Sequence, residues 1–149
     1  GIIKVMREYK PRLHYYAVSW KRPHRGRIKC NTDGVSRGNL GDSAYSFCLR
    51  DDQGDIIYAE AGRLGHKTNM EAETIAILKA LRYCKGNNYS NFVLETDSLI
   101  ITNIVRREWK IPWQQVEEIQ EIQAIISSTN AQIQHVFREA NKLANEACA

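Results

Sequence analysis

The sequence predicts an α/β domain: three antiparallel strands first, then helices alternating with strands. Three observations carry that reading. Residues 28–35, 43–50 and 56–64 are short strand-like runs separated by the turn clusters Gly38-Asn39-Leu40-Gly41 and Asp51-Asp52-Gln53-Gly54-Asp55. Connections this short join antiparallel neighbours. From Asn69 the hydrophobic period becomes helical, and from Asn91 onward strand-like and helix-like segments follow one another.

The first strand, Ile28 to Val35, contains Lys29-Cys30-Asn31-Thr32-Asp33-Gly34. Its alternation runs into an acid and a glycine, which places Asp33 at a strand end. Gly34 there lets a ligand or another backbone come close. Ser43 to Arg50 and Ile56 to Leu64 complete the meander. The helix from Asn69 to Lys85 has Glu73, Ala76, Ile77, Ala80, Leu81 and Cys84 on one stripe, whereas Glu71 shares its flank with Thr74, Lys79 and Arg82 and is expected to face water. A carboxylate heading an apolar stripe is costly unless a metal or a cation meets it.

Asn91 to Thr96 reads as a short apolar strand, closed by Asp97-Ser98. Asp97 heads a second stripe with Ile100, Ile101, Ile104 and Val105, although an Asp here also makes a good helix N-cap. Pro112 suits the first turn of a third helix, reaching about Ser127. Trp109 and Trp113 flank that junction and are expected to anchor the core. Asn130 to Phe137 alternates as a last strand, and Arg138 to Ala149 forms a terminal helix with Asn141, Ala144, Asn145 and Cys148 on one side.

At 149 residues the chain makes one domain of ordinary size, and no apolar run approaches a membrane span. Residues 1–20 read as a connector or appended segment, with the domain proper at 21–149. Gly1 in place of Met suggests an excised fragment. Residues 1–30 hold nine Lys or Arg against Glu8, and the remainder holds twelve against sixteen acids. A +8 arm thus joins a −4 body, which suits a polyanionic partner or a solvated linker equally well. Arg22, Arg25 and Arg27 in the basic loop are the candidates for phosphate contact. Cys30, Cys48, Cys84 and Cys148 show neither C-x-x-C pairing nor zinc spacing, so reduced thiols in an intracellular protein, cytoplasmic or nuclear, are expected.

Four motifs resemble those of the ribonuclease H family, specifically the ribonuclease-H-like domains of plants and plant non-LTR retrotransposons. They are Lys29-Cys30-Asn31-Thr32-Asp33-Gly34, Thr68-Asn69-Met70-Glu71-Ala72-Glu73, Leu94-Glu95-Thr96-Asp97-Ser98, and the run from His135 to Ala144. The resemblance covers roughly Trp20 to the end. It implies a ribonuclease-H-like fold, a five-stranded mixed sheet flanked by helices. It also implies magnesium-dependent hydrolysis of the RNA strand in RNA–DNA hybrids. By that resemblance Asp33, Glu73, Asp97 and Asn145 are catalytic and hold two Mg²⁺ ions, with Mn²⁺ able to substitute. Gly34, Thr68 and Asn69 would then contact nucleic acid.

The family's fourth acid is Asn145 here, an oxygen donor without charge, and its second helix-start Asn is Met70. The mobile His before the last helix is absent, which leaves His135 on the strand in an expected structural role. A module that binds hybrid without cutting it is the alternative. A proofreading-type exonuclease would want an acid at Val35, and an integrase-type recombinase would place its Glu last. The domain is expected to be monomeric in isolation and to belong to a larger polypeptide such as a reverse transcriptase.

Overall fold

The computed structural model describes residues 26–141, the side chain of Asn39 excepted. Residues 1–25 and 142–149, with Arg22, Arg25, Asn145, Cys148 and the 1–20 connector, lie outside them. Five strands form one mixed sheet: β1 (Lys29–Ser36), β2 (Gly41–Arg50), β3 (Ile56–Lys67), β4 (Val93–Thr96) and β5 (Gln132–His135). Their order is β3-β2-β1-β4-β5. The first three strands form the expected antiparallel meander, while β4 lies parallel to both β1 and β5. Three helices are α1 (Asn69–Gly86), α2 (Leu99–Val105) and α3 (Val116–Thr129), and residues 138–141 begin a fourth, α4.

One apolar core joins Cys30, Leu49, Leu94 and Ile133 of the sheet to Ile77, Leu81, Ile101 and Ile122 of the helices. The α1 stripe is buried as its spacing predicts. Thr68 caps this helix in a capping box: its hydroxyl accepts from the Glu71 N–H at 3.1 Å, and Glu71 Oε1 accepts from the Thr68 N–H at 3.1 Å. Glu71 therefore closes the helix start rather than simply facing water.

Alternation along β1 sends Lys29, Asn31 and Asp33 to the opposite sheet face. The chain reverses direction across the sheet between β1 and β4, where the strand order switches sides. Parallel strands with such a switch leave a crevice beyond their carboxyl ends.

Several expectations need correction. Asp33 is not at a strand end, since β1 continues to Ser36, but its pairing with β4 stops at Asn31. Trp109 and Trp113 are 52% and 81% exposed rather than core anchors. The short α2 ends at Val105, and the chain from 106 to 115 crosses the surface before α3 begins. Ile100 is exposed as well, because it lies in the first turn of that short helix. Pro112 precedes a 3₁₀ turn at Trp113–Gln115, and the α-helix starts only at Val116. Cys30 and Cys84 are free thiols, but Cys48 is disulfide-bonded. Spacing along the chain carries no information about cysteines that the fold brings together. Among the described residues no helix is long and apolar enough to cross a membrane.

Candidate active site

Three elements deliver carboxylates to the crevice between β1 and β4. Asp33 comes from β1 beyond its pairing with β4, and Asp97 follows the last residue of β4. Glu73 arrives from the first turns of α1, which Gly34 allows to approach. A Cβ on Gly34 would overlap the Ala72 carbonyl and the Glu73 nitrogen. The glycine expected at a nucleic-acid contact is thus occupied by another backbone.

Asp97 is not the cap of α2. Ser98 takes that role, accepting from the Ile101 N–H at 3.2 Å, so the Asp97 carboxylate is left for other work.

Burial, then the charges of Asp97 and Asp33, pushes the Glu73 carboxyl up to about 7, although a hydrogen bond with Ser98 and the charge of Arg138 pull the other way. Burial likewise raises Asp97, against the opposing charges of Arg138 and His135. Burial is the larger cause of both shifts, and for Glu73 the neighbouring acids add to it. Arg138 Nε, largely exposed, lies 3.7 Å from Asp97 Oδ2. The sequence reading passed over Arg138, and it assigned His135 to structure. His135 does lie on β5, yet it is exposed and close enough to act on Asp97. The signal was available, since both follow or end the last strand within the closing motif.

Beneath the crevice the same sheet face carries a layer of paired polar side chains, although Nε and Nη1 of the buried Arg50 beside it make no hydrogen bond among the described residues. Glu95 Oε2 takes an ion pair from Lys29 Nζ at 3.1 Å and a hydrogen bond from Gln134 at 2.7 Å. Asn31 donates to Glu95 Oε1 at 3.0 Å and to Asn141 Oδ1 at 3.1 Å, and Asn141 donates to the Thr32 carbonyl at 2.8 Å. Lys29, counted in the basic arm by sequence, is buried here instead.

Of the remaining expected contacts, Asn69 Oδ1 accepts from the Ser36 N–H at 2.8 Å and ties α1 to β1. Thr68 is engaged as the cap. Arg27 is half-exposed at the start of β1.

Among the described residues no three His, Cys, Asp or Glu side chains close into a ready-made cation cage. The donor chemistry nonetheless fits a hard divalent ion, because the acids offer only oxygens and the two aspartates raise the proton affinity of Glu73. A bound cation would reverse the upward shift of Glu73.

A sheet of this order with acids from β1, α1 and the end of β4 defines a ribonuclease H-like domain. The family model described as reverse transcriptase-like matches residues 31–149, and the chain belongs to that family. It is 29% identical over 128 residues to ribonuclease HI of Halobacterium salinarum, spanning 82% of this chain and 64% of that protein. A longer Arabidopsis thaliana protein that bears a ribonuclease H name is 26% identical over 136 residues, of which this chain spans 21%. The chain thus spans less than two thirds of either curated relative.

The crystal structure of the Halobacterium salinarum ribonuclease H1 superposes with a TM-score of 0.73 at 27% identity, covering 83% of this chain and 98% of that one. LC11-RNase H1, solved in complex with an RNA/DNA hybrid, shares the fold with a TM-score of 0.73 at 24% identity, covering 81% and 93%.

Proposed function

We propose that this domain hydrolyses the RNA strand of RNA–DNA hybrids by a two-metal-ion reaction. One observation carries the reading: Glu73, Asp97 and Asp33 come together from three elements, close enough that the charges of the two aspartates raise the Glu73 carboxyl. The names of the relatives agree with it. Mg²⁺ bound there, or Mn²⁺ in its place, would supply an activated water and charge neutralisation at the scissile phosphate and leaving oxygen.

The chain's own part is to hold and orient. Asp33, Glu73 and Asp97 are the anionic ligands, and Asn145 adds a neutral oxygen. Gly34, Asn69 and Thr68 bring the α1 start against β1, so the strand to be cut passes beside Asp33. The RNA 2′-hydroxyl is the feature by which such a groove tells the strands apart. Arg22, Arg25 and Arg27 would add phosphate contacts before β1.

The test is a metal titration of cleavage on labelled hybrid, with RNA duplex and single strand as controls. Three carboxylates hold a second ion weakly, so activity should be low with Mg²⁺ and higher with Mn²⁺. Asn145→Asp should raise the Mg²⁺-supported rate, and an unchanged curve would remove Asn145 from the ligand set. The uncharged Asn145 also favours a second reading, a module that binds hybrid without cutting it. Hybrid bound but uncut under either metal would select that one.

A further inference from the structure

The sheet face that carries Asp33 continues past the acid into an open groove of about 540 Å³, lined by Val35, Arg37, Ser43, Ala44, Arg63 and Gly65. Strand register places it. Asp33 pairs across to Ser46 and then Ala61, and one pleat further Val35 pairs to Ala44 and then Arg63. Residues two apart on a strand share a face, so the Val35–Ala44–Arg63 row lies beside the row that starts at Asp33. From β1 to β3 this row spans two strand spacings, roughly 10 Å.

The lining has two parts. Its floor is small or apolar: Ala44, Ser43 and Gly65, with Val35 left 52% exposed on the strand that carries the catalytic acid. Its cations are Arg37, in the 3₁₀ turn after β1, and Arg63 on β3. Both are exposed, and neither guanidinium has a hydrogen bond or ion pair among the described residues. The acid at the rim, Asp42, has a neighbour of its own in His66 at 3.6 Å. Elsewhere an arginine with a role in the fold is engaged, as Arg82 is with Glu121 at 2.6 Å and Arg106 with the Ile133 carbonyl at 2.7 Å.

We propose that this groove holds the sugar–phosphate backbone of the strand being cut, with Arg37 and Arg63 on phosphates beyond the scissile one. The inference rests on the hybrid-cleavage reading and gives that site a second subsite. A guanidinium fork suits a phosphate's paired oxygens. A floor of small side chains lets a backbone lie close to the sheet, and the row runs on directly from Asp33. The groove would set how far substrate must extend from the cut to be held firmly.

The experiment measures binding of fluorescent hybrid by anisotropy in EDTA, so that nothing is cut, across a KCl series with the full chain. Arg37→Ala/Arg63→Ala should weaken binding roughly tenfold at 0.1 M KCl and flatten the slope of log K against log[KCl] by about 1–2, since each phosphate contact contributes about 0.9. Val35→Glu puts a negative charge in the floor with both arginines intact and should weaken binding too. Neither arginine supports the fold through a contact, and circular dichroism checks that the variants are folded. Wild-type affinity and slope in folded variants would overturn the groove while leaving hybrid recognition standing. No hybrid binding by the wild type would overturn the hybrid-cleavage reading and the groove with it. A loss of polyglutamate binding with hybrid binding unchanged would assign the groove to an acidic protein and also overturn the proposal.

Discussion

Asn31 and Asp33 stand two residues apart on β1, as Glu95 and Asp97 do on and just past β4. The inner pair and the outer pair nonetheless have opposite electrostatic surroundings. Around Asn31 and Glu95 the side chains are engaged with one another: Lys29 with Glu95 at 3.1 Å, Gln134 with Glu95 at 2.7 Å and Asn31 with Asn141 at 3.1 Å. Around Asp33 and Asp97 a third acid is added, and the nearby cation is an exposed arginine. One step along the same strands separates polar chemistry that holds the domain together from a crevice where three acids meet. Buried charge is tolerated in the first place because it is paired; in the second, three acids share one crevice.

Exchanging the two chemistries tests that contrast. Asp33→Asn should bring metal-dependent hybrid cleavage to background under Mg²⁺ or Mn²⁺ while leaving the melting temperature unchanged or slightly raised; retained cleavage would remove Asp33 from the reaction. The reverse exchange, Asn31→Asp, places a carboxylate against Glu95 Oε1 and removes two donated hydrogen bonds. Denaturant unfolding should show a loss of about 3–5 kcal/mol. A near-neutral result would mean that the inner layer tolerates charge as the outer one does.

The third test uses pH. Glu73 titrates near 7 in the folded protein, above the ordinary carboxyl value, so the folded state holds its proton more tightly than the unfolded chain. Its contribution to stability is complete below the unfolded value near 4.5 and is lost as pH rises through about 7. In EDTA, Glu73→Gln should therefore be more stable than the wild type at pH 8 by about 1–2 kcal/mol, a figure already reduced for partial exposure. The difference should vanish near pH 4, and parallel stability curves across that range would contradict the raised Glu73 carboxyl.

The smallest effect belongs to Thr68, which the sequence assigned to substrate and the structure uses as a cap. Thr68→Ala should cost about 1 kcal/mol in unfolding experiments. A loss of hybrid affinity with unchanged stability would return the residue to the groove.

The legible parts were those encoded locally. Alternation and turn clusters marked β1 to β3 to within a few residues. The 3.6-residue period located α1 and singled out Glu73 as the carboxylate on its buried stripe. What stayed hidden depends on residues far apart in sequence. Nothing near Asn31 indicates that its partner is Asn141, 110 positions away. The exposure of Trp109 and Trp113 follows from where α2 stops, and a hydrophobic residue type does not reveal that. Asp97 looked like a cap, and the hydrogen bond at Ser98 shows that the neighbouring residue takes that role. Cys48 found its disulfide through the fold rather than through spacing.

The bond between Asn31 and Asn141 also bears on the order in which the domain assembles. Helix α1 and the β1–β3 meander rely on contacts close in sequence and can form early. Fastening α4 to β1 closes a loop of more than a hundred residues, whose entropic cost must be met before the contact repays it. A chain still emerging from the ribosome, with β4 made but α4 not yet free, holds all three acids while Asn31 lacks its Asn141 partner. The crevice should thus become ordered last, and pulse-labelled hydrogen exchange should find β4 protected no earlier than α1. A crevice completed only when α4 docks thus takes its ordered form from a contact that the earlier elements cannot make by themselves.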